Sequence, residues 1–327
     1  MTTEIPTLDT IDSISVHADA VKRAERRDRW SRRLPLLPAL IFTIIVTQAP
    51  FVLALWYSLN DWPFLIPNSF EFTGLSNYPP IFTDQFFRRA VLNTIWTTFG
   101  TAIIATVIGV FLAVILDRKF IGRSIVRTAL ITPFLVMPVA ASLIWRNGML
   151  DATFGFFNYV VDLPVINWII INVLRFDQTP IEFTSAHPLF SVMLVLVWQW
   201  TPFLMLILLA GLQGQSPSVL EAARVDGAST SAIFFQLTLP HLRRYIELGA
   251  LLSSIYLIQT FDTVDQLVGG AAGAQNVPYF VYLRAIGGGF QFGQASAFGV
   301  VIVIASIIMA NFSLKVLSGL LDGEEVV

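Results

Sequence analysis

The chain has 327 residues, 55% of them hydrophobic and 13% charged, with a formal net charge of -2 and a mean hydropathy of +0.70. A soluble domain carries about twice that charge fraction, so the composition excludes an ordinary soluble protein and points to a polytopic membrane protein. There is no cysteine, which excludes disulfides, thiol catalysis and thiolate metal sites. His17, His187 and His241 are too scattered to suggest a metal centre.

Residues 1–33 are polar and end in KRAERRDRWSRR, a basic cluster beside the first apolar run. It reads as a cytoplasmic arm held at the membrane surface. Ser31-Arg32-Arg33 superficially resembles a twin-arginine signal. The run that follows is long and lacks a small-x-small cleavage site, so it is expected to stay uncleaved.

Charge-poor stretches predict six spans, at 34–59, 90–116, 126–146, 188–212, 242–262 and 290–314. In the first, Pro35 and Pro38 fall where a helix tolerates proline, and Pro50 is a candidate kink. Residues 60–89 form a loop rich in Pro, Asn and aromatic residues, and 117–124 a short basic turn. The third span holds Pro133 and Pro138. Such prolines persist where neighbours satisfy the freed carbonyls, so this span is expected in the bundle interior. Residues 147–187 read as external. Within them Leu163 to Leu174 is apolar but too short to cross, which fits a re-entrant or interfacial piece. The fifth span is the weakest, with Glu247 near its inner end, and 262–284 reads as an external loop. A tail at 322–327 closes the chain. With both termini inside, every Lys and Arg lies on the cytoplasmic side except Arg88, Arg89, Arg146, Arg175 and Arg284. A seventh span at 163–174 would invert everything after it, against that bias.

The loop at 216–240 is written as two helices. Ser218 stands three residues before Glu221, a capping-box spacing. Glu221, Ala222 and Ala223 favour helix, and Gly227 suits a left-handed terminus. Ser229, Thr230 or Ser231 can cap a second short helix, with Ile233, Phe234, Phe235 and Leu237 on its apolar side and Pro240 closing it. An exposed apolar helix pair calls for a partner groove.

That run, EAARVDGASTSAIFFQLTLP, resembles the EAA loop of inner-membrane permease subunits of ABC importers: EAA, three residues, Gly, nine residues, Ile-x-Leu-Pro. Glu221, Ala222, Ala223, Gly227, Leu239 and Pro240 match at that spacing, and Leu237 replaces the usual Ile. FTGLSNY (72–78), VWQWTPF (197–203), FDTVDQLVGGAAG (261–273) and FGQASA (292–297) are similar to segments of carbohydrate permeases of the maltose type. Val268 and Ala271 depart from that pattern. The wording is nearest to polyol (mannitol or sorbitol) permeases.

The resemblance implies an all-α, type I permease-like fold whose EAA loop docks into a cleft of an ATPase. The coupling residues it implies are Glu221, Ala222, Ala223, Asp226, Gly227, Phe234, Leu239 and Pro240. The partners it implies are a second permease subunit, two copies of an ABC ATPase, a periplasmic solute-binding protein, a sugar or polyol substrate and the bilayer, with no nucleic acid. ATP and magnesium would belong to the ATPase, leaving no cofactor or metal in this chain.

The chemistry agrees. No GxxxxGK[ST] loop, HExxH or Ser-His-Asp set occurs, so the chain is expected to be a transport subunit and not an enzyme. Gly269-Gly270 and Gly287-Gly288-Gly289 read as external turns. The central spans lack the embedded charge that a secondary transporter uses for coupling, so the power is expected from outside the chain. A stand-alone secondary transporter or channel for a neutral solute is the alternative.

A hydroxyl-rich solute is held by aromatic faces and amide or hydroxyl groups. Trp198, Gln199, Trp200 and Thr201 on the fourth span are candidates, with Ser253, Tyr256, Gln259 and Thr260 on the fifth, where the spacing predicts one shared helical face. The resemblance favours Ser253 and Tyr256. The same groups serve equally to bond helix to helix. Asn93 and Asn311 read as packing groups, and Trp145 and Trp168 as interfacial belt residues.

Overall fold

In the computed structural model, residues 34–62, 70–164, 167, 182–269 and 273–321 are described. The N-terminal arm, most of 163–174, Trp168, Gly270, Ala271 and the 322–327 tail lie outside them. The chain divides into two units, Met1–Tyr57 and Ser58–Val327.

The first unit is described by α1 (Leu37–Ser58), 22 residues with Pro50 inside. None of its apolar side chains is buried, as suits a helix meant for hydrocarbon or for another chain.

The second unit starts with a two-residue antiparallel pair, β1 (Asn60–Asp61) and β2 (Glu71–Phe72), in the register Asn60↔Phe72. The short α2 (Pro79–Thr83) follows. Asp84 then caps α3 (Gln85–Asp117) by accepting from Phe86 N at 2.7 Å and Phe87 N at 3.2 Å. Residues 96–100 of α3 form a wider π turn.

The third predicted span is two helices. α4 (Arg123–Leu135) and α5 (Pro138–Met149) meet at a 102° bend. Pro133 leaves carbonyls unpaired in the last turn of α4, and Pro138 can only begin a helix. The chain therefore runs extended through Val136 and Met137. α4 buries none of its residues, contrary to the interior position expected for the whole span.

α6 (Phe156–Val161) and α7 (Phe183–Ala186) are short, and α8 (Pro188–Gln213) is the central helix, with its inner half buried against α3 and α11. α9 (Pro217–Val225) is followed by α10 (Thr230–Ile233), a π turn at Phe234–Thr238 and α11 (Leu239–Leu257). The expected loop at 262–284 holds two helices, α12 (Asp262–Val268) and α13 (Val277–Ala285), before α14 (Phe292–Leu321).

Among the described residues, α1, α3 and α8 are long and apolar enough to cross a membrane, and the α4–α5 pair makes a fourth if counted as one broken span. α11 carries Arg243, Arg244 and Glu247 in its first half, and the apolar part of α14 is Phe292–Ile308.

Three apolar clusters hold the second unit together. One joins α5, α8, α12 and α13 around Trp145, Val195, Leu257 and Val264. Trp145 is thus a core residue, stacked on Phe157 at 5.9 Å and edge-on to Trp198 at 5.6 Å, and not the belt residue expected. A second sets Phe87, Phe280 and Phe298 ring to ring. The third packs Leu116, Met205, Leu208 and Leu242 between α3, α8 and α11.

Two of the sequence segments singled out above meet here. Asn77 donates to Ser58 O at 3.0 Å and Asn60 O at 2.9 Å. A Cβ on Gly293 would stand 2.1 Å from Asn60 O, so only glycine fits there.

Candidate functional site

Two regions carry the residues singled out by sequence, and the first is the α9–α11 segment. Pro217 fixes the first turn of α9, so its N-cap is Ser216, two residues before the expected Ser218. Neither serine caps a backbone amide. Their hydroxyls lie 2.8 Å apart instead.

At the other end the expectation for Gly227 holds. Its φ is +82°, Gly227 N donates to Arg224 O at 3.1 Å, and Ala228 N to Ala223 O at 3.0 Å. This is a Schellman closure, which turns the chain sharply. Asp226 is the C-cap residue. Ser229 then caps the next helix, accepting from Ala232 N at 3.2 Å.

Pro240 does not close that helix. Helical dihedrals run on through Phe234, Leu239 and α11. Pro240 lacks the N–H for an interior turn, and its ring crowds the carbonyl four residues back. The π turn at Phe234–Thr238 widens the helix at that carbonyl, so chain direction survives. α9 buries none of its residues, with Val219 and Val225 (87%) open, and Phe235 is 64% exposed. Ala222, Ala223 and Glu221 thus sit on a small surface helix, whereas Phe234 and Leu239 lie on the rod that continues into α11.

The second region surrounds the Val136–Met137 break. Trp200 lies 5.7 Å from Tyr256, 5.7 Å from Phe134 and 5.6 Å from Phe203, and Phe134 stacks on Phe203 at 5.3 Å. Tyr256 is 63% exposed. The result is an aromatic wall with an open tyrosine at its edge, which can offer a ring face and a hydroxyl together.

Gln199 is 5% exposed and donates to Val136 O at 2.8 Å, capping a carbonyl that the break sets free. Trp198 packs into the core against Trp145. Thr201 donates to Val197 O of its own helix at 2.6 Å.

The predicted shared face on the fifth span is not formed. Ser253 is fully buried and donates to Ala250 O at 3.1 Å. Gln259 and Thr260 lie beyond the end of α11, because the helix stops at Leu257. Gln259 donates to Ile255 O at 3.0 Å, and Thr260 O accepts from Asn276, which also caps α13. Tyr256 and Gln259 are the exposed members of the four, and Tyr256 lies beside Trp200.

Polar groups missed in the sequence fasten the outer elements. Arg284 pairs with Asp84 across 200 residues and lies over the Phe280 ring at 5.2 Å. Arg146 donates to Gln266 O at 3.1 Å. Asn93 donates to Gly273 O and Gln275 O, the packing role expected of it, whereas Asn311 turns to Ile307 O of its own helix. Backbone N–H bonds from Phe154 and Thr153 hold the exposed Asp151 carboxyl below the usual carboxylate range. Among the described residues, no cluster of three or more His, Asp or Glu could hold a metal ion.

The family described as "Binding-protein-dependent transport system inner membrane component" matches residues 105–323. The trehalose transport system permease protein SugA of Mycobacterium tuberculosis is 32% identical over 297 residues, covering 89% of this chain and 90% of that protein. The trehalose/maltose transport system permease protein MalF of Thermococcus litoralis is 30% identical over 243 residues, 73% of this chain and 77% of that protein. Among solved structures, one chain of a bacterial ABC transporter involved in the import of the acidic polysaccharide alginate superposes with a TM-score of 0.71 at 18% identity. It covers 91% of this chain and 98% of the other.

Proposed function

Since the chain belongs to the family of binding-protein-dependent transport system inner membrane components, we propose that it carries a neutral sugar or sugar alcohol along a path edged by Trp200 and Tyr256. The chain is a membrane-spanning permease subunit of an ABC importer. It works with a second permease subunit, an ATPase and a periplasmic binding protein. The carbohydrate reading draws on relatives named for trehalose and maltose transport, and on the open aromatic edge formed by Trp200 and Tyr256. The polyol assignment remains part of the proposal. Six spans with both termini inside are likewise proposed, from the Lys and Arg bias.

The chain supplies no nucleotide site of its own in this reading, and ATP with magnesium acts in the ATPase. The observation that carries the coupling role is the Schellman turn at Gly227. It sets α9 off as a surface helix at the foot of a continuous helix leading to Tyr256. α9, with Glu221, Ala222, Ala223 and Asp226, is the docking piece. Phe234, Leu239 and Pro240 belong to the shaft that passes the motion on, and rocking of one permease subunit against the other opens the path to alternate sides.

Gly227→Asp tests this reading. A Cβ at φ +82° is strained whatever space surrounds it. The variant is expected to reach the membrane at normal levels and to lose both ATPase retention and uptake. Normal retention and transport would contradict the coupling role.

A further inference from the structure

The turn that joins α3 to α4 runs RKFIGRSIVR from Arg118 to Arg127. It gathers four cations, Arg118, Lys119, Arg123 and Arg127, beside one carboxylate, Asp117. Among the described residues, none of these four side chains has a hydrogen bond or an ion pair. The same turn carries bulky apolar groups. Gly122, with a φ of +87°, turns the chain into α4. Ile121 before it is wholly exposed, and Phe120 and Ile125 are exposed beside it.

Depth decides what can cover this surface. Leu116 near the end of α3 and Leu130 and Ile131 on α4 belong to one apolar cluster. Lys119 stands three residues past Leu116. Arg127 stands three before Leu130, less than one helical turn and about 5 Å along the axis. The polar layer of a bilayer has that depth, about 5–7 Å on each side of the hydrocarbon. The cations therefore sit at the level of the headgroups, with apolar side chains between them at the acyl boundary. Water alone satisfies the cations and leaves Phe120, Ile121 and Ile125 exposed. A zwitterionic surface covers the apolar groups and leaves the excess positive charge without an anion. Arg123 and Arg127 are also one turn apart on α4, where like charges repel. A phosphate between them removes that repulsion, and guanidinium forks match its oxygens in pairs.

We propose that the α3–α4 turn binds the headgroup of an anionic phospholipid. Arg123 and Arg127 hold the phosphate, Arg118 and Lys119 add charge, and Ile121 sits among the acyl chains. The proposal rests on α3 and the α4–α5 pair lying in the membrane, as in a permease subunit. Such a contact fixes the joined ends of α3 and α4 to the plane of the bilayer.

The chain has no cysteine, so a bimane dye on Ile121→Cys reports from the tip when the partner subunits are also cysteine-free. The complete transporter is placed in phosphatidylcholine vesicles that carry a minor share of acyl-brominated lipid, either phosphatidylglycerol or phosphatidylcholine. Quenching by brominated phosphatidylglycerol is expected to be stronger on the order of fivefold, since each cation beside an anionic lipid strengthens association by about that factor. Arg123→Gln with Arg127→Gln is expected to remove the preference while ATP-driven uptake persists. Arg123→Lys with Arg127→Lys is expected to keep most of it. Inorganic phosphate, added at constant ionic strength, is expected to change nothing.

Equal quenching by the two lipids overturns the headgroup site. Quenching by neither overturns it too: shielding from aqueous iodide would then place a protein partner over the turn, and access to iodide would show a solvated loop. A preference abolished by inorganic phosphate overturns the choice of lipid over free anion. A preference that survives the glutamine pair overturns the roles of Arg123 and Arg127. ATP-driven uptake in the same vesicles separates the two readings, because uptake without lipid preference removes the site and leaves the permease standing.

Discussion

At the residue scale, the break at two prolines is held together by a buried side-chain amide. Pro133 and Pro138 break the third span, and Gln199 satisfies the Val136 carbonyl that the break releases. Gln199→Leu leaves that buried carbonyl unpaired, at a cost of about 1–3 kcal/mol. The purified protein is expected to unfold at a lower temperature, and an unchanged midpoint would deny the residue this task.

Tyr256 is the complementary case. Being open, it can be removed with little loss of stability. Tyr256→Ala is expected to raise the KM for uptake by about tenfold or more with the protein level unchanged, while Tyr256→Phe, which keeps the ring, loses less. Equal effects of the two would place the recognition in the hydroxyl alone. No effect of either would remove Tyr256 from the path. The sequence pointed to Trp200 and Tyr256 through their chemistry. Ser253, Gln259 and Thr260 do not join Tyr256 on one face of α11, because spacing cannot show that α11 ends at Leu257 or that Ser253 turns to its own backbone.

At the scale of elements, the continuous helix from Thr230 to Leu257 changes how motion can reach the membrane. A separate second helix ended by Pro240 would decouple the loop from the fifth span. The π turn at Phe234–Thr238 keeps them one rod while absorbing the proline. Deleting Gln236 should restore ordinary winding, so that the Pro240 ring crowds the carbonyl four residues back and bends the rod. Uptake is expected to fall to background with the chain still in the membrane, and full transport in the deletion would show that the rod does not transmit the stroke.

The helix pair, the left-handed Gly227 and the Ser229 cap were legible because each rests on local backbone chemistry. The continuity through Pro240 was not, since a π turn depends on neighbouring turns and leaves no residue signature. The bend between α4 and α5 was half legible. Both prolines were noted, but their joint effect was read as a kink inside one span and not as a 102° turn.

At the scale of the whole molecule, composition and the run of apolar stretches were enough to give a helical membrane protein, and the resemblance of 221–240 to an EAA loop pointed to the family that residues 105–323 match. What joins distant parts was hidden. The Asp84–Arg284 pair and the seating of Gly293 against Asn60 link residues some 200 positions apart, and single-sequence patterns do not reach that far. The solute remains a proposal at this scale too, because an open aromatic edge accepts many polyhydroxylated molecules.

The central claim is that an uncharged conduit takes its power from a motor bound to its inner face. Reconstitution in sealed vesicles tests it most directly, by measuring sugar or polyol uptake with this chain alone and with the complete set of second permease, ATPase and binding protein. The account predicts uptake only from the complete set, only with ATP inside the compartment facing the ATPase, and none with Gly227→Asp. Solute flux through the chain alone, indifferent to ATP, would contradict it.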